Sequence, residues 1–280
     1  MNTFVYSSKE SAMKKNISTV IIVLAMLTGL SLLLYPTVSD YWNSMRQSKA
    51  IAGYIEQTNS LDDARIEKML KDAREYNKTL VNQENRYKLT DAEYAEYSRL
   101  LDAGENGIIG YIDIPEINVK LPIYHGTDES VLQVAVGHIA GSSLPVGGKS
   151  THCVLSGHRG LPSAKLFSNI DRLVEGDVFT LNVLNETLYY QVDQILTVEP
   201  DELEALEIEK GKDYCTLVTC TPYGVNTHRL LVRGSRIDGI SSAKVMADAI
   251  QIEKYLVIMV ITAVFAAAAL IFTIIRKRRK

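Results

Sequence analysis

Two uncharged apolar runs, one near each end of the 280-residue chain, confine any folded body to the stretch between them. From Ile17 to Tyr35 no residue is charged, and a helix of that length rises roughly 29 Å, about the thickness of a bilayer's hydrocarbon core. Lys14 and Lys15 precede it, and the excess of Lys and Arg on cytoplasmic flanks puts that side in the cytoplasm. A removable signal peptide would need a small-residue cleavage site after the run, where Tyr35 and Pro36 stand instead. The second run, Tyr255 to Ile275, is followed directly by Arg276, Lys277, Arg278, Arg279 and Lys280, the pattern of a stop-transfer helix with a cytoplasmic tail. The sequence thus predicts a two-pass protein of the cell membrane with both termini inside. Residues 1–16 are cytoplasmic, 17–35 and 255–275 are transmembrane helices, 276–280 is a basic cytoplasmic tail, and the middle is extracellular.

A formal net charge of -3 removes nucleic acid from the candidate partners, since no basic face is available to neutralise phosphates. Three cysteines, Cys153, Cys215 and Cys220, are too few and too irregularly spaced for a secreted disulfide framework. Cys153 and Cys215 lie within apolar runs and read as small buried hydrophobes with free thiols, side by side if their strands run parallel. His125, His138, His152 and His228 show no metal-ligand spacing and read as structural. No acidic cluster suits calcium, so no metal and no cofactor is assigned.

The extracellular stretch divides by composition. Residues 40–106 are polar and helix-prone. Ser60 with Asp63 resembles a capping pair, followed by a stripe of Ile66, Met69, Leu70 and Ala73; Thr90 with Glu93 repeats the cap ahead of Tyr94, Tyr97, Leu100 and Leu101. Between these helices, Val81 to Leu89 is polar. From Gly107 the periodicity changes to short strands: Ile108 to Ile114, Val119 to Ile123, Thr151 to Leu155, Val178 to Leu184, Thr187 to Val198, Tyr214 to Thr219 and Arg229 to Ile237. Asn185-Glu186 reads as a two-residue hairpin turn. So many short strands separated by Gly, Pro and Asn turns predict a mainly β domain over 107–237, a closed barrel or a sandwich, and 238–254 reads as a linker.

Cys220 closes one such strand, and after a turn-rich loop the next strand opens with Arg229, which would bring a thiol beside a guanidinium. His158, in Ser156-Gly-His-Arg-Gly160, ends another strand. Nucleophilic acyl transfer needs a thiolate to attack, a group that exchanges protons near neutral pH, and fixed donors for a developing oxyanion; Cys220, His158 and Arg229 supply these in turn. The sequence does not fix whether the thiol and imidazole rest as an ion pair or as neutral groups.

Thr216-Leu-Val-Thr-Cys220 resembles the TLxTC signature of the sortases, and Ser156 to Gly160 resembles their histidine segment. Gly110-Tyr-Ile-Asp-Ile-Pro115, Leu121-Pro-Ile-Tyr124, Ser143-Leu-Pro-Val-Gly-Gly148 and the run from Thr221 to Gly234 are similar to the pilin-polymerising class C. The resemblance covers roughly Gly107 to Arg236. It implies an eight-stranded sortase barrel with an amino-terminal helical extension and a second membrane helix. It also implies a thioacyl intermediate at Cys220 formed on an LPxTG-like sorting signal, proton transfer by His158, and signal and oxyanion binding by Arg229 with Thr219 as a helper. The acyl group would pass to a lysine amine of a second pilin. Class C members often carry a lid with an Asp-Pro-aromatic motif; Val81 to Leu89 has no proline, and Asn85, Arg86 and Tyr87 are its candidate for an aromatic plug. Three other readings stay open at this point: a housekeeping sortase that anchors surface proteins to a cell-wall precursor, a hydrolytic cysteine peptidase in which water resolves the intermediate, and a membrane-held peptide-binding scaffold without catalysis.

Overall fold

The computed structural model describes residues 3–81, 83, 85–238, 264 and 268. The second apolar run and the basic tail therefore lie outside the described residues, positions 264 and 268 apart. The first run is part of α1 (Thr3–Asn59), one helix that passes through Pro36 and continues into the extracellular stretch without a break. Where it crosses the apolar run its large side chains, among them Val20, Ile22, Leu24 and Leu33, are exposed, as expected of a helix that is apolar all round and has no protein around it.

Beyond Asp40 the same helix docks. Tyr54, buried, donates to the Ile109 carbonyl (3.2 Å) and accepts from the Leu184 amide (2.7 Å). α2 (Asp63–Leu80) buries Ile66, Leu70 and Ala73 as the stripe predicts, but its cap is Asp62, which accepts from the Arg65 amide at 2.7 Å. The Ser60 hydroxyl instead donates back to the Gln57 carbonyl at the end of α1 (2.6 Å). α3 (Asp91–Tyr97) opens with the predicted Thr90–Glu93 capping box and stops at Tyr97; Leu100 and Leu101 lie in the turn that follows, where Leu101 adopts φ 62°.

Eight strands close into a barrel in the order β1-β2-β3-β4-β7-β8-β6-β5. They are β1 (Ile108–Ile114), β2 (Val119–His125), β3 (Val136–His138), β4 (Thr151–Ser156), β5 (Val178–Val183), β6 (Glu186–Val198), β7 (Asp213–Thr221) and β8 (His228–Ile237), with α4 (Glu129–Leu132) between β2 and β3. The pairs β2–β3 and β4–β7 are parallel and the rest antiparallel. Closure removes sheet edges, which a sandwich would leave. β3 escaped the sequence reading because three residues are too few to show a period of two. The β5–β6 turn is Leu184-Asn185, one residue earlier than expected, since Val183 already pairs with Glu186.

Alternation along the strands sorts two apolar clusters. Cys153, Leu155, Cys215, Leu217, Leu230 and Val232 face the barrel interior, while Val154, Val218 and Leu231 pack with Val198 and Leu206 on the outer wall. Parallel β4 and β7 pair Cys153 with Cys215 inside, both as free thiols, and burial pushes the Cys215 thiol well above its ordinary value. The predicted structural histidines divide the same way. His138 is buried, its Nε2 proton donated to the Ser143 carbonyl (2.9 Å) so that Nδ1 accepts from the Tyr97 hydroxyl (2.8 Å). His152, on the outer wall, donates from Nδ1 to the Glu207 carbonyl (2.8 Å) and accepts at Nε2 from the Thr216 hydroxyl (2.7 Å).

Candidate active site

The carboxyl ends of β4, β6 and β7 and the start of β8 meet at one end of the barrel, because β4 and β7 are parallel and β8 runs antiparallel to both β7 and β6. There the ladder sets Cys220 directly opposite Arg229, so the strand–turn–strand reading of 216–229 corresponds to an actual cross-strand pair. Ser156 pairs with Val218, and past the end of β4 the Gly157 amide donates to the Val218 carbonyl (3.1 Å). That bond carries the parallel alignment onward and brings the His158 segment alongside the strand end that holds Cys220. Counting by twos from the outer-wall residues Val154, Val218 and Leu231, His158, Cys220 and Arg229 fall on the outer wall as well. The candidate site is thus a row at this end of the barrel's outer wall.

Packing and charge pin this row from several sides. The Thr219 hydroxyl, buried, donates to the Gly157 carbonyl (2.7 Å), so its proton is engaged with the histidine segment. Gly157 must lack a side chain here: a Cβ would lie 2.7 Å from the buried Phe167 ring, and the Phe167 amide in turn donates to the His158 carbonyl (3.1 Å). Gly160 takes φ +79° beneath the Tyr223 ring. Arg159 bridges the His158 and Cys220 segments, donating to the Thr221 hydroxyl (3.2 Å) and to Asp171 (2.6 Å), with its guanidinium 5.7 Å from the Tyr223 ring centre.

His158 is partly buried, its side chain 29% exposed, and its Nε2 has no hydrogen-bond partner but sits 3.6 Å from Glu129 Oε2. Gln133 donates to the other Glu129 oxygen, and this contact holds the Glu129 carboxyl below its usual range against an opposing desolvation, with a lesser contribution from the neighbouring His158. Arg229 is half-buried, and its guanidinium donates to the His228 (3.2 Å) and Asn226 (3.4 Å) carbonyls of its own turn, leaving further N–H groups for a ligand. His228 pairs away from it, with Glu199 (3.2 Å).

The outer wall next to this row is covered. Arg86, buried, donates to the Leu206 carbonyl (2.7 Å) and pairs with Glu207 (3.5 Å), and Tyr87 packs on the Val154, Val218 and Leu231 cluster. Asn85 precedes them at φ 56°. The 85–87 segment therefore lies over the row next to Cys220 and Arg229, and its own contacts are with the β6–β7 connection. A separate cleft of about 630 Å³, lined by Arg74, Lys78, Lys149 and Arg236 among others, opens at the opposite end of the barrel.

Three site residues were passed over in the sequence: Arg159, Glu129 and Phe167. Arg159 adjoins His158 and could have been suspected. Glu129 and Phe167 carry no local signal, since their contacts depend on α4 and on the loop after β4 folding back.

A barrel wall that pairs a thiol with a guanidinium beside a histidine segment defines a class of protein, one equipped for thiol-based acyl transfer. The sortase domain model matches residues 112–237. Crystal structures of sortase C1 from Streptococcus agalactiae are similar to this chain; one is 54% identical with a TM-score of 0.67, over 69% of this chain and 100% of that one. Sortase C from Streptococcus pneumoniae is 45% identical, TM-score 0.62, over 70% and 100%. Sortase D of Bacillus subtilis is 30% identical over 131 residues, 46% of this chain. The chain spans 63% and 60% of the lengths of the curated relatives sortase D of Bacillus subtilis and sortase A of Bacillus anthracis. It belongs to the sortase family.

Proposed function

We propose that this protein is a membrane-held cysteine transpeptidase that polymerises pilins. The observation that carries the reading is the Cys220–Arg229 cross-strand pair with the His158 segment tied alongside. The similarity to the Streptococcus pneumoniae sortase C, a structure described as giving insight into pilin substrate specificity, supports the substrate class.

In this reading a pilin's LPxTG-like signal lies along this row of the outer wall. The Cys220 sulfur attacks the threonine carbonyl carbon, and Arg229 donates to the oxygen that becomes anionic. The carbon–nitrogen bond breaks, His158 gives its proton to the departing glycine amine, and a thioester remains on the sulfur. A lysine amine of a second pilin then loses a proton to His158 and attacks the thioester; an isopeptide bond forms and the thiolate leaves, so no oxidant or cofactor is consumed. Thr219 serves by holding Gly157, and hence His158, in register, in place of the direct oxyanion role. Asn85, Arg86 and Tyr87 act as a partial lid over the outer wall next to the thiol. The helix through 17–35 stays in the bilayer, 255–275 crosses back, and the body from about Asp40 to Lys254 works outside the cell.

The test mixes the protein with an LPxTG-bearing pilin and a lysine-bearing pilin. Mass spectrometry finds an isopeptide-linked dimer with wild type and none with Cys220→Ala. Cleaved pilin alone, at every acceptor concentration, would overturn the transpeptidase reading, and unchanged activity of Cys220→Ala would leave only a scaffold.

A further inference from the structure

The helix that enters the membrane also states which way the barrel faces. From Asp40 onward α1 presents one stripe to the body, and its contacts follow the barrel's long direction. Asp40 accepts from the Lys165 amide (2.8 Å), Asn43 donates to the Ser163 carbonyl (2.8 Å) and Gln47 donates to the Val134 carbonyl (2.8 Å). Only at Tyr54 does the helix meet Leu184, in the β5–β6 turn at the far end. Ser163 and Lys165 belong to the loop that begins at His158. The end of the barrel that carries Cys220 is thus the end nearest the apolar run.

The separation is small. Asp40 stands five residues past Tyr35, roughly 7.5 Å along the helix axis, and any tilt of the helix lowers that height. The head-group layer on each side of the hydrocarbon is itself roughly 5–7 Å deep. The loop after His158 therefore starts at the outer limit of the head groups. Its Gly160 lies under the Tyr223 ring, and at this same end Tyr223 and Val225 of the β7–β8 loop are 62% and 65% exposed. On α1, the face turned away from the barrel bears exposed Tyr41 and Trp42. Aromatic residues with one polar end favour the membrane–water interface, and single exposed apolar side chains on a loop next to it have the same preference.

We propose that the catalytic end of the barrel rests on the outer surface of the bilayer in which α1 is anchored, with Tyr223 and Val225 of the β7–β8 loop seated in the head-group layer. The inference rests on the reading that residues 17–35 remain in the membrane. It makes the bilayer part of the rim of the active site, so that a membrane-embedded donor polypeptide reaches Cys220 without leaving the surface, whereas a soluble one must enter between barrel and lipid.

Trp42 is the chain's single tryptophan and makes a direct test available. The full chain is placed in phospholipid nanodiscs whose acyl chains are brominated either near the head group or near the terminus. In the native protein Trp42 emission is quenched, more by the shallow bromines. In W42F/Y223W the new tryptophan is blue-shifted and quenched by the shallow bromines as well. If Trp42 is quenched but position 223 is reached only by aqueous iodide, the anchor stands and the proposed orientation is overturned. If neither Trp42 nor position 223 is reached by the bromines, the orientation is overturned, and protease protection of residues 17–35 in the nanodisc reports separately whether the helix is anchored. Should W42F/Y223W lose its native circular dichroism, W42F/V225W takes the same measurement. Hydrogen exchange of residues 221–227 in the wild-type protein, slowed by the bilayer or not, decides if both variants misfold.

Discussion

Acid should destabilise this barrel by way of two histidines that take no part in the proposed chemistry. His125 is buried edge-on to Tyr97 (ring centres 4.8 Å apart), and burial lowers its pKa from 6.5 to about 4. His152 is 1% exposed, and burial lowers its pKa to about 4 as well, against a smaller opposing effect of its bond to Glu207. Each is neutral in the folded chain and takes up a proton near the ordinary 6.5 once unfolded. Between pH 6.5 and 4 the unfolded state therefore binds more protons, and stability, complete above 6.5, is lost as the pH falls. At pH 5 each group removes about 2 kcal/mol, roughly 4 kcal/mol together, a large part of the 5–15 kcal/mol typical of a domain. Asp213, whose carboxyl burial raises, opposes this toward the acid end of the window. Urea unfolding of the extracellular body from pH 8 to 5 measures it. The steepest slope should be about 2.4 kcal/mol per pH unit, falling to about 1.2 in His125→Leu. A flat profile, or a slope that His125→Leu leaves intact, would refute the assignment of both rings as buried neutral groups.

The site geometry carries further expectations. Thr219→Val keeps the shape but leaves the buried Gly157 carbonyl without its donor; it costs about 1–3 kcal/mol in urea unfolding and, by loosening His158, lowers kcat by about 10- to 100-fold. Equal loss of stability with full turnover would make Thr219 merely structural. Gly157→Ala drives a methyl into the Phe167 ring and costs about 1–3 kcal/mol, and adding Phe167→Leu should recover part of it in thermal melts; simple additivity would count against that contact. Arg229→Lys is expected to leave the melting temperature near wild type while turnover falls sharply, because a point ammonium cannot reproduce the guanidinium fork; near-normal kinetics would remove the oxyanion role.

Much of this was legible in the chain because it is local. The Thr90–Glu93 cap, the β1 limits from Ile108 to Ile114 and the alternation of β6 and β8 follow from neighbouring residues alone. The Cys220–Arg229 pairing was legible too, since one strand, one loop and one returning strand suffice to set it. The shift of a cap from Ser60 to Asp62 and of a turn from Asn185-Glu186 to Leu184-Asn185 shows the limit. Adjacent polar residues compete for the same backbone donors, and the choice between them is made by distant partners, such as the Tyr54 hydroxyl on the Leu184 amide.

The order of apolar and charged residues by itself determined that a β-rich body follows an apolar segment long enough to cross a membrane, and which thiol, imidazole and guanidinium stand at strand ends. Hydrophobic length and strand periodicity are properties of contiguous residues, so no fold is needed to read them. Tertiary structure alone decided that the three groups share the outer wall, that Glu129 and Arg159 brace them, that Arg86 and Tyr87 cover the row below, and that α1 leaves the barrel at its catalytic end. Those facts depend on which strand closes against which, and on a helix choosing one face of the barrel, contacts between residues as many as 130 positions apart.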